Sequence, residues 1–117
     1  MRELTGHKVN PANDLLTVEA MDGPGPGGAS HNYRISWPNN TRSFEFQNGP
    51  IAEVGVNGIT HEAVLAVLID RLEGFQSGPF ANEYNERALD NLKTAQALLQ
   101  KRTRERMERG VEGTHKP

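Results

Sequence analysis

From about Ala81 to Arg109 the chain runs without proline or glycine until Gly110, and Tyr84, Ala88, Leu92, Ala95 and Leu99 recur at alternating steps of four and three. That period marks one face of an α-helix. At the standard rise such a helix is roughly 42 Å long and outreaches any partner the rest of the chain can supply. The partner comes just before it. Thr60 predicts an N-cap, with His61 and Glu62 in the first turn. Ala63, Val64, Leu65, Val67, Leu68, Ile69, Leu72 and Phe75 form a wide apolar stripe, and Gly74 and Gly78 end the segment. A stripe that wide predicts a largely buried helix. The "GFQSGPF" link between the two is too short for anything but an antiparallel hairpin of helices. Ala88 and Ala95 let a further helix approach closely, which suits an interface between subunits.

The first half reads as strands. "DLLTVEA" (Asp14 to Ala20), "HNYRISW" (His31 to Trp37) and "RSFEFQ" (Arg42 to Gln47) each carry one apolar face. "PNNT" between the second and third is a compact turn signal and predicts an antiparallel hairpin, whereas "MDGPGPGGAS" reads as a looser, flexible connection. The expected fold is therefore α+β. A small antiparallel β-domain occupies residues 1–55, and a helical hairpin with a basic C-terminal end occupies residues 56–117. "MRELTGHKVN" at the start fits neither and either stays disordered or packs on a neighbouring subunit.

The core is thin. Only 35% of the 117 residues are hydrophobic, and no cysteine is present to add a disulfide. Small domains bury a smaller fraction of their surface, so association with further copies is the expected source of the missing burial. With no basic-then-apolar leader and no apolar run of about 18 residues, the expected location is the cytoplasm, without membrane contact. The "NNT" sequon at Asn39 then has no meaning.

Catalytic motifs fail one by one. "GPGPGG" satisfies the glycine spacing of a dinucleotide fingerprint, but Pro24 and Pro26 offer no N–H to a phosphate and a strand follows where a helix is needed. "HEAVL" opens like a zinc-protease helix, yet Leu65 stands where the second histidine belongs. His7, His31 and His115 show no ligand spacing, so no metal or cofactor is expected. Ser30, Ser36, Ser43 and Ser77 lack the sharp turn that exposes a nucleophile. A binding protein is expected instead of an enzyme.

Charge is unevenly spread. Lys101 to Pro117 holds six Lys or Arg against three Glu, a balance of +3, which leaves −5 for the rest of a chain whose net charge is −2. A continuous basic surface for polymeric nucleic acid is absent, but a local anion site is permitted. Arg102, Arg106 and Arg109 fall on one face of the long helix, continuing its Leu92, Ala95 and Leu99 stripe into a cationic tip. One account is plain: Glu105 and Glu108 pair with them at the surface, and positive charge complements the helix C-terminus. The other is that guanidinium groups of neighbouring subunits converge on phosphate oxygens, which they grip bidentately. Gly110 would then end the helix in a left-handed turn, and "EGTH" would supply backbone N–H groups, a hydroxyl and an imidazole to an anion. Phe75, Phe80 and Tyr84 offer faces for a base to stack on, or pack in the core.

"GITHEAVLAVLIDRLEGFQSGPFANEYNERALDNLKTAQALL" followed by "RTRERMERGVEGTHKP" resembles the helical hairpin shared by two phage anti-defence families, Thoeris anti-defence protein one and anti-CBASS protein two. The "GFQSGPF" turn and "RGVEGTH" ending carry the resemblance, which covers about the second half of the chain. The strand-rich first half is similar to the small β-domain of the Thoeris family and favours it. The resemblance implies a sponge that binds, without cleaving, the cyclised ADP-ribose signal of TIR-domain defence enzymes, in the cytoplasm of an infected bacterium. Some hexameric members, built from dimers, also hold CBASS cyclic trinucleotides in separate pockets. By pattern the resemblance assigns the first site to Phe75 (Phe80 being the alternative), Asn85, Arg102 and Arg106. It assigns the trinucleotide pocket to Arg109, Gly113, Thr114 and His115. A small oligomeric RNA- or DNA-binding protein using the same basic end is the alternative from another class, and a structural scaffold without ligand is a third.

Overall fold

The computed structural model describes residues 1–117 and divides into two compact units, residues 1–48 with 56–59 and residues 49–55 with 60–117. In the first, β1 (Arg2–Leu4), β2 (Thr17–Ala20), β3 (Asn32–Trp37) and β4 (Asn40–Glu45) form one antiparallel sheet in chain order. The register sets Leu4 opposite Val18, Val18 opposite Ile35, Ala20 opposite Tyr33 and Tyr33 opposite Phe44, so one face collects the apolar side chains. Tyr33 stacks on Phe44 with ring centres 5.9 Å apart, and both meet Phe46 edge-on. On the opposite face Arg34 pairs with Glu19 at 2.8 Å.

The predicted strands are present, with shifted ends. Asp14 belongs to α1 (Pro11–Asp14), not to β2, because Asn10 caps that short helix through its side chain and Pro11 opens it. The hairpin turn is tighter than "PNNT": Trp37 already pairs with Asn40, and Asn39 takes the left-handed bend at φ 65° that asparagine tolerates. "MRELTGHKVN" contributes β1, which widens the sheet to a fourth strand.

The "MDGPGPGGAS" connection carries its own bonds. Gly25 N–H donates to Ala29 O, and the Asp22 carboxylate accepts the N–H groups of Asn32 and His31, each at 3.0 Å at its nearest. Ser30, itself buried, donates its hydroxyl to Asp22 O. The Asn32 amide foremost, and the His31 amide after it, hold the Asp22 carboxyl below its ordinary value of 3.8 against the opposing effect of burial. A depressed carboxyl stabilises the fold above its unfolded value and ceases to do so as pH falls through the folded one. Asp22→Asn is therefore expected to melt earlier than the wild type at pH 7, with the two melting curves converging below about pH 4.

After β4 the chain forms a parallel bridge between Phe46 and Ile59, closed by Asn57, whose side chain brackets both main-chain groups of Asn48. A side chain at Gly58 would run into the main chain of Phe46 and Gln47.

The second unit holds α2 (Ile51–Val54), α3 (His61–Gln76) and α4 (Glu83–Glu108). Thr60 caps α3 by accepting Ala63 N–H at 3.1 Å, and Asn82 caps α4 by accepting Asn85 N–H at 2.9 Å. The hairpin is antiparallel and its turn is tied by Gln76, whose amide exchanges two hydrogen bonds with the main chain of Asn82. Leu65, Ile69, Leu72 and Gln76 turn toward α4, which answers with Leu89, Leu92 and Gln96. Gln96 reaches Glu62 O at 3.4 Å, so α3 begins about level with it and the last turns of α4 overhang.

α3 is not largely buried. Val67 is 67% exposed and Leu68 41%, and only Ile69 is buried, because a helix with one neighbour can bury only one face of a stripe that runs most of the way round. The α4 stripe is also displaced from its expected line. Tyr84 and Ala88 are exposed, and Leu89 takes the buried position. Ala20, Ile69 and Leu89 are the only buried apolar residues of the chain. No helix is long and apolar enough to cross a membrane.

Candidate functional site

Two groups of polar and aromatic side chains stand at the two ends of α4. At the hairpin turn Phe75 and Phe80 meet edge-on, ring centres 6.5 Å apart, and the Arg71 guanidinium lies over the Phe75 ring at 5.1 Å. Phe80 and Tyr84 are largely exposed. An open groove of about 500 Å³ runs along the outer side of α3, lined by Val67, Asp70, Arg71, Gly74 and Phe75. Asn85, one turn into α4, is half-buried. Arg71 and Asp70 escaped the sequence reading, although Arg71 stands four residues before Phe75, the spacing that stacks side chains along a helix.

At the other end α4 stops as its sequence dictates. Gly110 adopts φ 71°, Val111 N–H returns to Arg106 O and Gly110 N–H to Met107 O, the paired bonds of a glycine-ended helix. The chain then doubles back. Gly113, also left-handed at φ 80°, offers its carbonyl to Ala52 N–H, tying the loop to α2. The Thr114 hydroxyl donates to Val111 O and accepts Lys116 N–H, and His115 stands exposed, 3.4 Å from Glu53.

Arg106 occupies the inside of that loop. Its side chain is 12% exposed. Nε donates to Glu112 at 2.9 Å, Nη1 to Lys116 O at 2.6 Å, and Nη2 to Val111 O and Thr114 O at 3.0 and 3.2 Å. Four of its five N–H groups are thereby engaged. Arg102, Glu105, Arg106, Arg109 and Pro117 line a recess of about 210 Å³ beside the loop. Arg109 reaches the Pro117 main-chain oxygen, while Arg102, two turns earlier, is exposed and makes no such bond. Neither Glu105 nor Glu108 pairs with these arginines; Glu112 does, and with Arg106 alone.

The sites assigned from sequence thus fall into distinct places. Arg102, Arg106 and Arg109 share one recess, and Gly113, Thr114 and His115 share the adjoining loop. Phe75 and Asn85 do not join them. Asn85 and Arg102 are 17 positions apart on one continuous helix, about 26 Å at the standard rise. No three His, Cys, Asp or Glu side chains come together in a way that would hold a metal ion.

Residues 41–104 match the hairpin domain of the Acb2/Tad1 family, a span that takes in most of β4, all of α2 and α3 and most of α4. The chain is also 40% identical over 108 residues to Thoeris anti-defense 1 of Bacillus phage SBSphiJ7, an alignment that covers 92% of this chain and 75% of that protein. The likeness thus extends through the β-sheet as well as the helices. On both counts the chain belongs to the Thoeris anti-defense 1 family of phage proteins and carries the Acb2/Tad1 hairpin.

Proposed function

We propose that the protein is a phage anti-defence sponge, which captures cyclised ADP-ribose made by the Thoeris system and holds it without cleaving it. The observation that carries this reading is the separation of Asn85 from Arg102. A cyclised nucleotide is far shorter than about 26 Å, so one chain cannot present both groups to it. Two chains can. When two α4 helices pack antiparallel about a point near Lys93 and Thr94, Asn85 of one copy comes level with Arg102 of the other, and Phe75 is carried to the same end. Two equivalent sites result.

The outer face of α4 suits that packing. Tyr84, Ala88, Asn91, Leu98 and Arg102 are exposed and, with half-buried Ala95 among them, follow steps of four and three along its length. A ligand with two phosphates then meets Arg102 beside the recess that Arg106 and Arg109 line, and its base meets the Phe75 ring. The adjoining loop, with Arg109, Gly113, Thr114 and His115, is the proposed pocket for a cyclic trinucleotide, in a hexamer assembled from such dimers. In this reading retention rests on slow release of an intact ligand.

Leu98→Glu tests the shared site. Leu98 is 63% exposed in the single chain, so the substitution spares the fold but places a charge in the proposed interface. Helical content is expected to persist while native mass falls to that of the monomer and calorimetric uptake of cyclised ADP-ribose disappears. A monomer that still binds would contradict the two-chain site.

A further inference from the structure

We propose that Arg71 is a further ligand-binding residue of the nucleotide site: it stacks its guanidinium on the Phe75 ring and presents its N–H edge to an oxygen of the nucleotide. The inference rests on the sponge reading for its ligand and on the outer side of α3 for its geometry.

The helix places the two side chains together. Arg71 and Phe75 stand one turn apart, and long helical side chains lean toward the N-terminus, so the ring is carried over the turn from which Arg71 rises. The guanidinium comes to 5.1 Å from the ring centre. An exposed arginine otherwise samples many rotamers, and ordering it on binding weakens a complex. Held on a ring, Arg71 is ordered before a ligand arrives.

Its donors are nevertheless free. The ring engages the flat face of a guanidinium, whereas all five N–H groups lie in its plane. Arg34, Arg42, Arg106 and Arg109 each donate to oxygen atoms of this chain. Arg71 makes no hydrogen bond and joins none of the ion pairs, which belong to Lys8, Arg34, Arg87, Arg106 and His115.

The space beside the stack is open. Gly74 lies between the two residues in the groove of about 500 Å³, and a methyl group there would meet nothing within 4 Å. Glycine inside a helix is destabilising, and no close packing within this chain calls for one at that point. Phe75 keeps 37% of its surface exposed. An apolar ring beside an ordered cation with unused donors matches a ligand that joins a flat base to anionic oxygens, as a nucleotide does. In the paired assembly Arg71 of one copy and Arg102 of the other then meet the same ligand.

Arg71→Met is the discriminating variant, because methionine keeps an unbranched apolar cover on the ring but has neither charge nor strong donors. Calorimetric affinity for cyclised ADP-ribose is expected to fall about tenfold or more, as for one lost charge-assisted hydrogen bond. Its dependence on salt should become shallower. Arg71→Lys keeps the charge without the flat fork and should fall between methionine and the wild type. In Phe75→Leu no ring holds the guanidinium, so adding Arg71→Met should weaken binding by no more than about a further threefold. Native mass and melting temperature of Arg71→Met should match the wild type, since the side chain is exposed. Wild-type affinity or unchanged salt dependence in Arg71→Met, a smaller assembled mass, or losses that simply add across the two positions overturns the proposal and leaves the sponge reading intact. A wild type that does not bind the probe defeats both.

Discussion

Arg102→Ala combined with Arg106→Ala is expected to abolish retention of cyclised ADP-ribose while leaving the assembled mass unchanged. Arg102 supplies the exposed guanidinium, and Arg106 holds the loop that walls its recess. Charge-assisted hydrogen bonds contribute about 1.5–3 kcal/mol each, so losing one directly and one through a released loop amounts to about 3–6 kcal/mol. That is a complex weaker by about two to four orders of magnitude. Neither side chain lies between α3 and α4 at the level of Ile69 and Leu89, so the hairpin should melt as before. Calorimetry and native mass measured on the same sample check both halves. Unaltered binding would remove the C-terminal end of α4 from the site.

The second large effect concerns the β-unit. A methyl group at Gly58 would stand 2.6 Å from both Gln47 N and Phe46 O, and against the Phe46 carbonyl carbon as well. All three are main-chain atoms that no rotamer change can move. The bridge between Phe46 and Ile59 must then open, with loss of the bonds from Gln47 N–H to Ile59 O and from Ile59 N–H to Glu45 O. Gly58→Ala is expected to cost about 2–4 kcal/mol, overpacking and broken bonds together. For a chain of this size that is a fall of roughly 10 °C or more in melting temperature. A thermal scan that does not shift would mean the bridge is not as close as described.

Much of this was legible in the sequence where short-range rules decide the outcome. Thr60, the run without proline or glycine up to Gly110, and the short link between the helices fix the hairpin through caps, period and length, which are local. The α4 helix begins and ends within two residues of where its pattern placed it. The strands at Val18, Ile35 and Phe44 were equally plain, because alternation shows in one strand alone. β1 was not, since three residues that pair at an edge show no period of their own. α2 was hidden between Gly49 and Gly55, and its partner is the distant loop at Gly113.

The exposure of α3 is hidden from the sequence for a different reason. Its apolar residues run most of the way round, and sequence cannot say that a single neighbour leaves Val67 and Leu68 in solvent. The arginines were found by their face and charge, but the task of Arg106 was not. Its acceptors depend on two left-handed glycines beyond the helix end, and no local pattern singles out the Glu112 carboxylate from those of Glu105 and Glu108.

Capture without cleavage is tested most directly by mixing the purified protein with cyclised ADP-ribose, filtering away free ligand, denaturing the retained protein by heat and weighing what is released. Intact cyclised nucleotide, recovered in proportion to protein, is the predicted result. Opened or hydrolysed product would make the protein an enzyme, and an empty filtrate would leave the two ends of α4 without the ligand assigned to them.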